Sequence, residues 1–79
     1  MVMQVEAKKR SEQVSGVSNV AFNLLTILEN KLQGIGAMEE HRMDCQEAGD
    51  QPAQALIEEL QRREVEDVER LKGYLKDRL

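Results

Sequence analysis

The sequence has few aromatic residues, one cysteine, one proline and no long apolar run. Aromatic residues make up 3% of the 79 residues and tryptophan is absent, so any core must be aliphatic. No stretch approaches the roughly 18 apolar residues of a transmembrane helix. The first residues lack the apolar core of a secretory signal. We therefore expect no membrane partner and no export.

The single Cys45 cannot form a disulfide within one chain, which favours a reducing cytoplasm as the location. The net charge is −4, whereas a nucleic-acid-binding protein needs a clustered basic face. We therefore expect no nucleic-acid partner. The sequence also shows no pairing of a nucleophile with a base and no glycine-rich phosphate loop. It predicts no catalytic residue and no cofactor-binding residue.

The pattern of apolar residues predicts an all-α protein. From about Val14 these residues recur at the spacing of a helix, and they cover a wide face. Such a face is typical of a bundle helix that contacts more than one neighbour. Residues 1–12 are polar and show no pattern, so we expect a flexible N-terminal tail there.

A stop signal and a start signal lie next to each other in the middle of the chain. Gly49 suits the left-handed residue after a helix end, Asp50 suits an N-cap, and Pro52 suits a first helical turn. The sequence therefore predicts an antiparallel helical hairpin over residues 13–79. Helix one runs over about 14–48, the turn over 49–50, and helix two over about 51–77.

A single hairpin of this kind cannot bury both of its wide apolar faces. A lone domain of 79 residues is also marginal in core size. Two hairpins packed around a two-fold axis solve both problems. We therefore expect a homodimer that forms a four-helix bundle.

Charged residues interrupt the predicted inward faces. Glu64 and Asp67 share a face of helix two with Leu60 and Leu71. Lys31 lies on the inward stripe of helix one. It precedes Gly49 by 18 residues and Glu64 follows that glycine by 15, so an antiparallel hairpin places the two side chains at similar height.

Three stretches of the chain resemble the rubrerythrin branch of the ferritin-like superfamily. They are Glu47-Ala-Gly-Asp50, Leu56-Ile-Glu-Glu-Leu60 and Glu64-Val-Glu-Asp67-Val-Glu-Arg-Leu71. The resemblance covers about residues 28–75 and needs no gap around the turn. It implies a ferritin-like bundle, in which each hairpin supplies a metal-binding glutamate from its first helix and a Glu-x-x-His motif from its second.

Carried over by residue, the resemblance implies a degenerate metal site. Glu64 matches the glutamate of the motif, Asp67 stands in place of its histidine, and Lys31 stands in place of the glutamate on the first helix. A lysine cannot ligate a metal, but its ammonium can replace the positive charge of the metal. We therefore predict a core ion cluster of Lys31, Glu64 and Asp67, with no bound cofactor.

Two other interpretations of these charges stay open. Glu39, Glu64 and Asp67, doubled by dimer symmetry, could form a surviving iron or manganese site. Alternatively, the charged residues lie at the edge of the bundle and reach water.

Three classes of function follow from these alternatives. The first is a non-catalytic interaction or structural module, which pairs with itself and with a further protein that the sequence does not identify. The second, implied by the resemblance alone, is an oxidase, a peroxidase or an iron-handling protein. The third is a small-molecule binder with a cavity beside Gly34, Gly36, Met38 and Met43. The sequence favours the first class.

Overall fold

The computed structural model describes the backbone of residues 2–79 and the side chains of residues 9–79. It contains three α-helices: α1 over Val2–Ser15, α2 over Asn19–Ala48 and α3 over Gln51–Lys76. No strand is present in residues 2–79. The all-α prediction is confirmed.

The break between α1 and α2 lies inside a region that we expected to be continuous with helix one. Gly16 has a φ of 71°, the left-handed conformation that ends a helix. Two residues later, Ser18 has an extended backbone and its side chain accepts a hydrogen bond from the amide of Ala21 at 3.1 Å. The long helix therefore begins at Asn19 and not at about residue 14.

Residues 2–12 of the segment that we expected to be a flexible tail belong to helix α1. Its flexibility stays a prediction, and Met1 lies outside the described residues. Toward α2, the Asn19 side-chain amide donates a hydrogen bond to Glu12 at 3.1 Å.

The turn between α2 and α3 is built from local hydrogen bonds. Gly49 has a φ of 71°, its amide donates to the carbonyl of Gln46 at 3.1 Å, and the amide of Asp50 donates to the carbonyl of Cys45 at 3.0 Å. This pair of bonds is a Schellman motif, which satisfies carbonyls at the end of α2. The Asp50 carboxylate then accepts from the amide of Ala53 at 3.1 Å and caps α3. Such a short connection makes α2 and α3 an antiparallel hairpin.

Helices α2 and α3 pack against each other along a narrow seam. In both helices most of the buried and half-buried positions recur in alternating steps of three and four residues, the spacing of a coiled coil. The seam residues are Ala21, Leu24, Leu28, Lys31, Ile35, Met38, Arg42 and Cys45 of α2, and Gln54, Ile57, Gln61, Glu64, Val68, Leu71 and Leu75 of α3.

The seam buries little apolar surface. Among the side chains of residues 9–79, the buried apolar residues are Ala21, Val68 and Leu75. The molecule is elongated, with extents of 55 × 26 × 17 Å. Its radius of gyration is 17.8 Å, against about 12 Å for a compact domain of this length. The hairpin therefore holds its charged seam residues close to its surface.

Candidate functional site: an ion network on the helical seam

Lys31 of α2 contacts two carboxylates of α3. Its ammonium donates to the two carboxylate oxygens of Glu64 at 3.4 and 3.2 Å, and to Asp67 Oδ2 at 3.2 Å. Glu64 and Asp67 are three residues apart and so lie on one face of α3. Counting from the turn places Lys31 at their height, and the structure joins all three residues.

Arg70 extends this cluster into a network with balanced charge. Its Nη1 lies 3.7 Å from Asp67 Oδ1, while Asp67 Oδ2 accepts from Lys31. The network therefore contains two cations and two carboxylates. Arg70 follows Asp67 by three residues, a spacing that brings two helical side chains together, but sequence analysis did not assign it to the cluster.

The carboxylates hold the proton on Lys31. The hydrogen bond to Asp67, followed by the one to Glu64, raises the pKa of Lys31 above its ordinary value of 10.5, and partial desolvation opposes this shift. Lys31 therefore remains an ammonium at neutral pH. It supplies a fixed positive charge and cannot act there as a general base.

The single chain leaves the network half open to water. The side chains of Lys31 and Glu64 are 26% and 28% exposed, and that of Asp67 is 41% exposed. One hairpin alone therefore does not give the cluster the core burial that we expected. Burial of the cluster stays a prediction for the homodimer.

A second polar cluster, centred on Glu39 beside the seam, lies nearer the turn. Arg42 donates to Glu39 Oε1 at 2.7 and 3.2 Å, and Gln61 donates both to Glu39 Oε2 at 3.2 Å and to the carbonyl of Ile35 at 3.3 Å. The hydrogen bond from Arg42, then that from Gln61, lowers the pKa of Glu39. Sequence analysis missed Gln61, although it precedes Glu64 by three residues on the same face of α3.

The alternative metal set is not assembled in the chain. Over the side chains of residues 9–79, no group of three or more His, Cys, Asp or Glu residues lies close enough to hold a metal ion. Glu39 bonds to Arg42 and Gln61, whereas Glu64 and Asp67 surround Lys31. The residues present do not fit the di-iron or di-manganese centre that the ferritin-like resemblance implies.

An open groove of about 350 Å³ runs along one side of the hairpin above the ion network. Its lining is Leu24, Ile27, Lys31, Asp67, Arg70, Leu71 and Tyr74. None of the four residues that we considered for a small-molecule cavity lines this groove. Met43 instead borders a separate shallow pocket beside Gln46 and Glu47.

Large apolar side chains remain exposed on both sides of the seam. The most exposed on the hairpin include Val20, Phe22, Ile27, Leu32, Met43, Leu56, Leu60, Val65 and Tyr74. The wide apolar face predicted for helix one is therefore only partly covered by α3. None of the helices over residues 2–79 is long and apolar enough to cross a membrane.

Comparisons with known proteins give no information on function, which has to be inferred from this geometry. No family model, no curated protein and no solved structure matches the chain.

Proposed function

We propose that this protein is a non-catalytic structural or interaction module, which works as a homodimer of two helical hairpins in a ferritin-like four-helix bundle. The observation that carries the proposal is the apolar surface that α2 and α3 leave exposed outside their seam. In a bundle each helix has two neighbours, and in the single hairpin each has one. A second hairpin supplies the missing neighbour.

The exposed area supports a partner of this size. The chain has a solvent-accessible surface of 6383 Å², against about 4,900 Å² for a compact monomer of the same mass. Part of the excess belongs to α1, which does not pack along the hairpin. With α1 included, the excess is larger than the roughly 800 Å² that each partner buries in a stable interface of ordinary size.

The ion network supports a structural role over a catalytic one. Lys31 occupies the position between the carboxylates of Glu64 and Asp67, so these are committed to an ion pair. A half-buried ion network adds little net stability compared with apolar packing. It can fix the alignment of helices, because a shift of one helical turn would separate Lys31 from its carboxylates.

We propose that the network descends from a ferritin-like metal site whose cation has been replaced by a lysine side chain. The match of Glu64 to the motif, and the positions of Asp67 and Lys31 where the other ligands would stand, support this lineage. The residue types at positions 31 and 67 disfavour the alternative, a metal-dependent oxidase, peroxidase or iron-handling protein. On this proposal the dimer acts in the cytoplasm, where Cys45 stays reduced.

Sedimentation equilibrium of the wild-type chain tests the proposal. We expect a dimer of about 18 kDa, twice the 9.0 kDa of the chain, at micromolar concentration. We also expect that a chelator leaves the unfolding temperature unchanged. A folded monomer under these conditions would refute the dimer, and a chelator-induced fall in unfolding temperature would favour the metal-binding alternative.

A further inference from the structure

We infer that the second copy docks on one particular side of the hairpin, which we term the uncharged face because its α2 stripe carries no charged residue. This inference rests on the proposed homodimer and identifies its interface. On α2 the uncharged face consists of Val20, Asn23, Ile27, Asn30, Gly34 and Ala37.

Helix geometry places these residues on one side of the seam. They follow each other in alternating steps of three and four residues, as the seam residues do, and so form a parallel stripe rotated by about 100° from the seam. No residue of the stripe carries a charge. The cores of protein interfaces are depleted in charged residues, so this stripe has the composition of an interface core.

The other side of the seam provides a natural comparison, and we term its stripe the opposite face. It consists of Phe22, Leu25, Glu29, Leu32, Gly36 and Glu39. Although it contains large apolar side chains, Glu29 and Glu39 interrupt it, and Glu39 is already held by Arg42 and Gln61. Covering the opposite face with a second copy would bury Glu29, which forms no salt bridge among the side chains of residues 9–79, and burying such a carboxylate is costly.

Helix α3 adds apolar residues to the uncharged face. Tyr74 lines the same groove as Ile27, so the two side chains lie on one side of the hairpin. Leu60 precedes Tyr74 by two heptads and continues the stripe toward the turn. Between them, the same stripe of α3 carries Arg63, Asp67 and Arg70. Tyr74 is 59% exposed and Leu60 is 41% exposed, so both remain available to a partner.

The charges at the floor of the groove are compatible with coverage by a second copy. Lys31 and Arg70 balance the carboxylates of Glu64 and Asp67, and Arg63 pairs with Glu59 at 2.9 Å. A second copy that covers the groove therefore buries a network with no net charge, which avoids the large cost of an uncompensated ion. The same coverage would shield the network from the water that reaches it in one hairpin.

Gly34 gives the uncharged face a point of close approach. A Cβ atom added there meets nothing within 4 Å in the chain, and the same is true at Gly36 on the opposite face. Each glycine lowers helix stability, and neither is needed for a contact within the hairpin. At Gly34 the missing side chain allows a partner helix to come near.

Two matched pairs of variants test the face. Gly34→Gln and Ile27→Glu alter the uncharged face, while Gly36→Gln and Leu32→Glu make the same changes on the opposite face. Ile27 and Leu32 are 45% and 52% exposed in the single chain, so a glutamate at either position is tolerated by the hairpin itself. Circular dichroism checks that each variant keeps its helical content.

We expect Gly34→Gln and Ile27→Glu to raise the dimer dissociation constant at least about 100-fold, since both place polar atoms in a packed interface. The two control variants should change it by less than about threefold. A larger effect from the controls, or equal effects from all four variants, would overturn the assignment of the face. A wild-type chain that is monomeric would instead refute the proposed function.

A labelling experiment covers the case in which a variant folds poorly. In a Cys45→Ala background, a cysteine is placed at Asn30 on the uncharged face or at Gln33 on the outer surface of α2. We expect maleimide to label the Asn30 site at least about tenfold more slowly above the dimer dissociation constant than below it. The rate at the Gln33 site should be unchanged. Equal rates at the Asn30 site in both conditions would contradict the inference.

Discussion

Lys31 and Glu64 form a bidentate ion pair across the seam, with the ammonium 3.4 and 3.2 Å from the two carboxylate oxygens of Glu64. These residues are separated by 33 positions in the sequence. Their contact exists only when α2 and α3 are aligned in one register, so it reports directly on the packing of the hairpin.

Removing the ammonium should destabilise the fold. In Lys31→Met the carboxylates of Glu64 and Asp67 lose their shared donor and face each other on a half-buried surface. We expect the unfolding temperature to fall by about 5 °C, measured by circular dichroism. Lys72→Met is the control, because Lys72 pairs with Glu69 on the exposed side of one helix and such pairs contribute little. Equal losses in the two variants would contradict a special role for the seam network.

Exchanging the charges should recover part of this loss. Lys31→Glu places three carboxylates together and should be more destabilising than Lys31→Met. Adding Glu64→Lys to Lys31→Glu restores an opposite pair at the same positions, and the double variant should be more stable than Lys31→Glu alone. If unfolding experiments in urea show that the two substitutions add without recovery, the pair does not interact energetically.

Alkaline pH should reduce the stability that the network contributes, because Lys31 loses its proton. The pKa of Lys31 is raised in the folded chain, so folding favours its protonated form. The resulting stability is fully present below the ordinary pKa of 10.5 and is lost as pH rises through the higher folded value. Urea unfolding between pH 9 and 12 should show the wild-type advantage over Lys31→Met shrinking above about pH 10.5. An advantage that grows with pH would reverse the expected sign.

Glu39 should contribute to folding stability in a way that is lost at acidic pH. Arg42 and Gln61 lower its pKa, so the stability it provides is present above the unfolded value of about 4.3 and is lost as pH falls through the folded value. Glu39→Gln should therefore flatten the fall in stability below pH 4.3. Glu40→Gln, at an exposed neighbouring position, is the control. Matching acid unfolding curves for Glu39→Gln and the wild type would show that Glu39 contributes nothing.

Two glycines should respond to alanine with opposite signs. Gly49 adopts a φ of 71° at the hairpin turn, where a Cβ is strained, so Gly49→Ala should cost about 1 kcal/mol. Gly73 lies inside α3 with open space around it, so Gly73→Ala should stabilise by up to about 1 kcal/mol through helix propensity. Chemical denaturation measures both. Stabilisation by Gly49→Ala would argue against the left-handed turn.

Local signals explain why much of the hairpin could be predicted. Gly49 ends α2 and Asp50 caps α3 because the preferences of these residues act through their own backbone and their nearest amides. The height of Lys31 relative to Glu64 followed from counting residues away from this turn. The predicted register of the two helices therefore depended only on the position of the turn and on the constant rise of a helix.

The remaining features depend on information that periodicity does not carry. Gly16 ends α1 and Ser18 caps α2. From the sequence alone, Ser11, Ser15 and Ser18 are all possible helix caps, and the apolar pattern does not choose among them. Gln61 bonds to a backbone carbonyl, a contact that only the packed structure defines. An apolar stripe also looks the same whether α3 or a second copy covers it. The sequence therefore could not separate Leu28, which lies on the seam with α3, from Ile27, which stays exposed in one chain.

Native mass spectrometry of the purified protein tests whether the chain forms a metal-free dimer, because one spectrum reports both the number of chains and any bound metal. We predict a species of about 18 kDa whose mass is that of two 9.0 kDa chains with no metal ion added. A species of one chain, or a dimer that carries iron or manganese, would contradict this prediction.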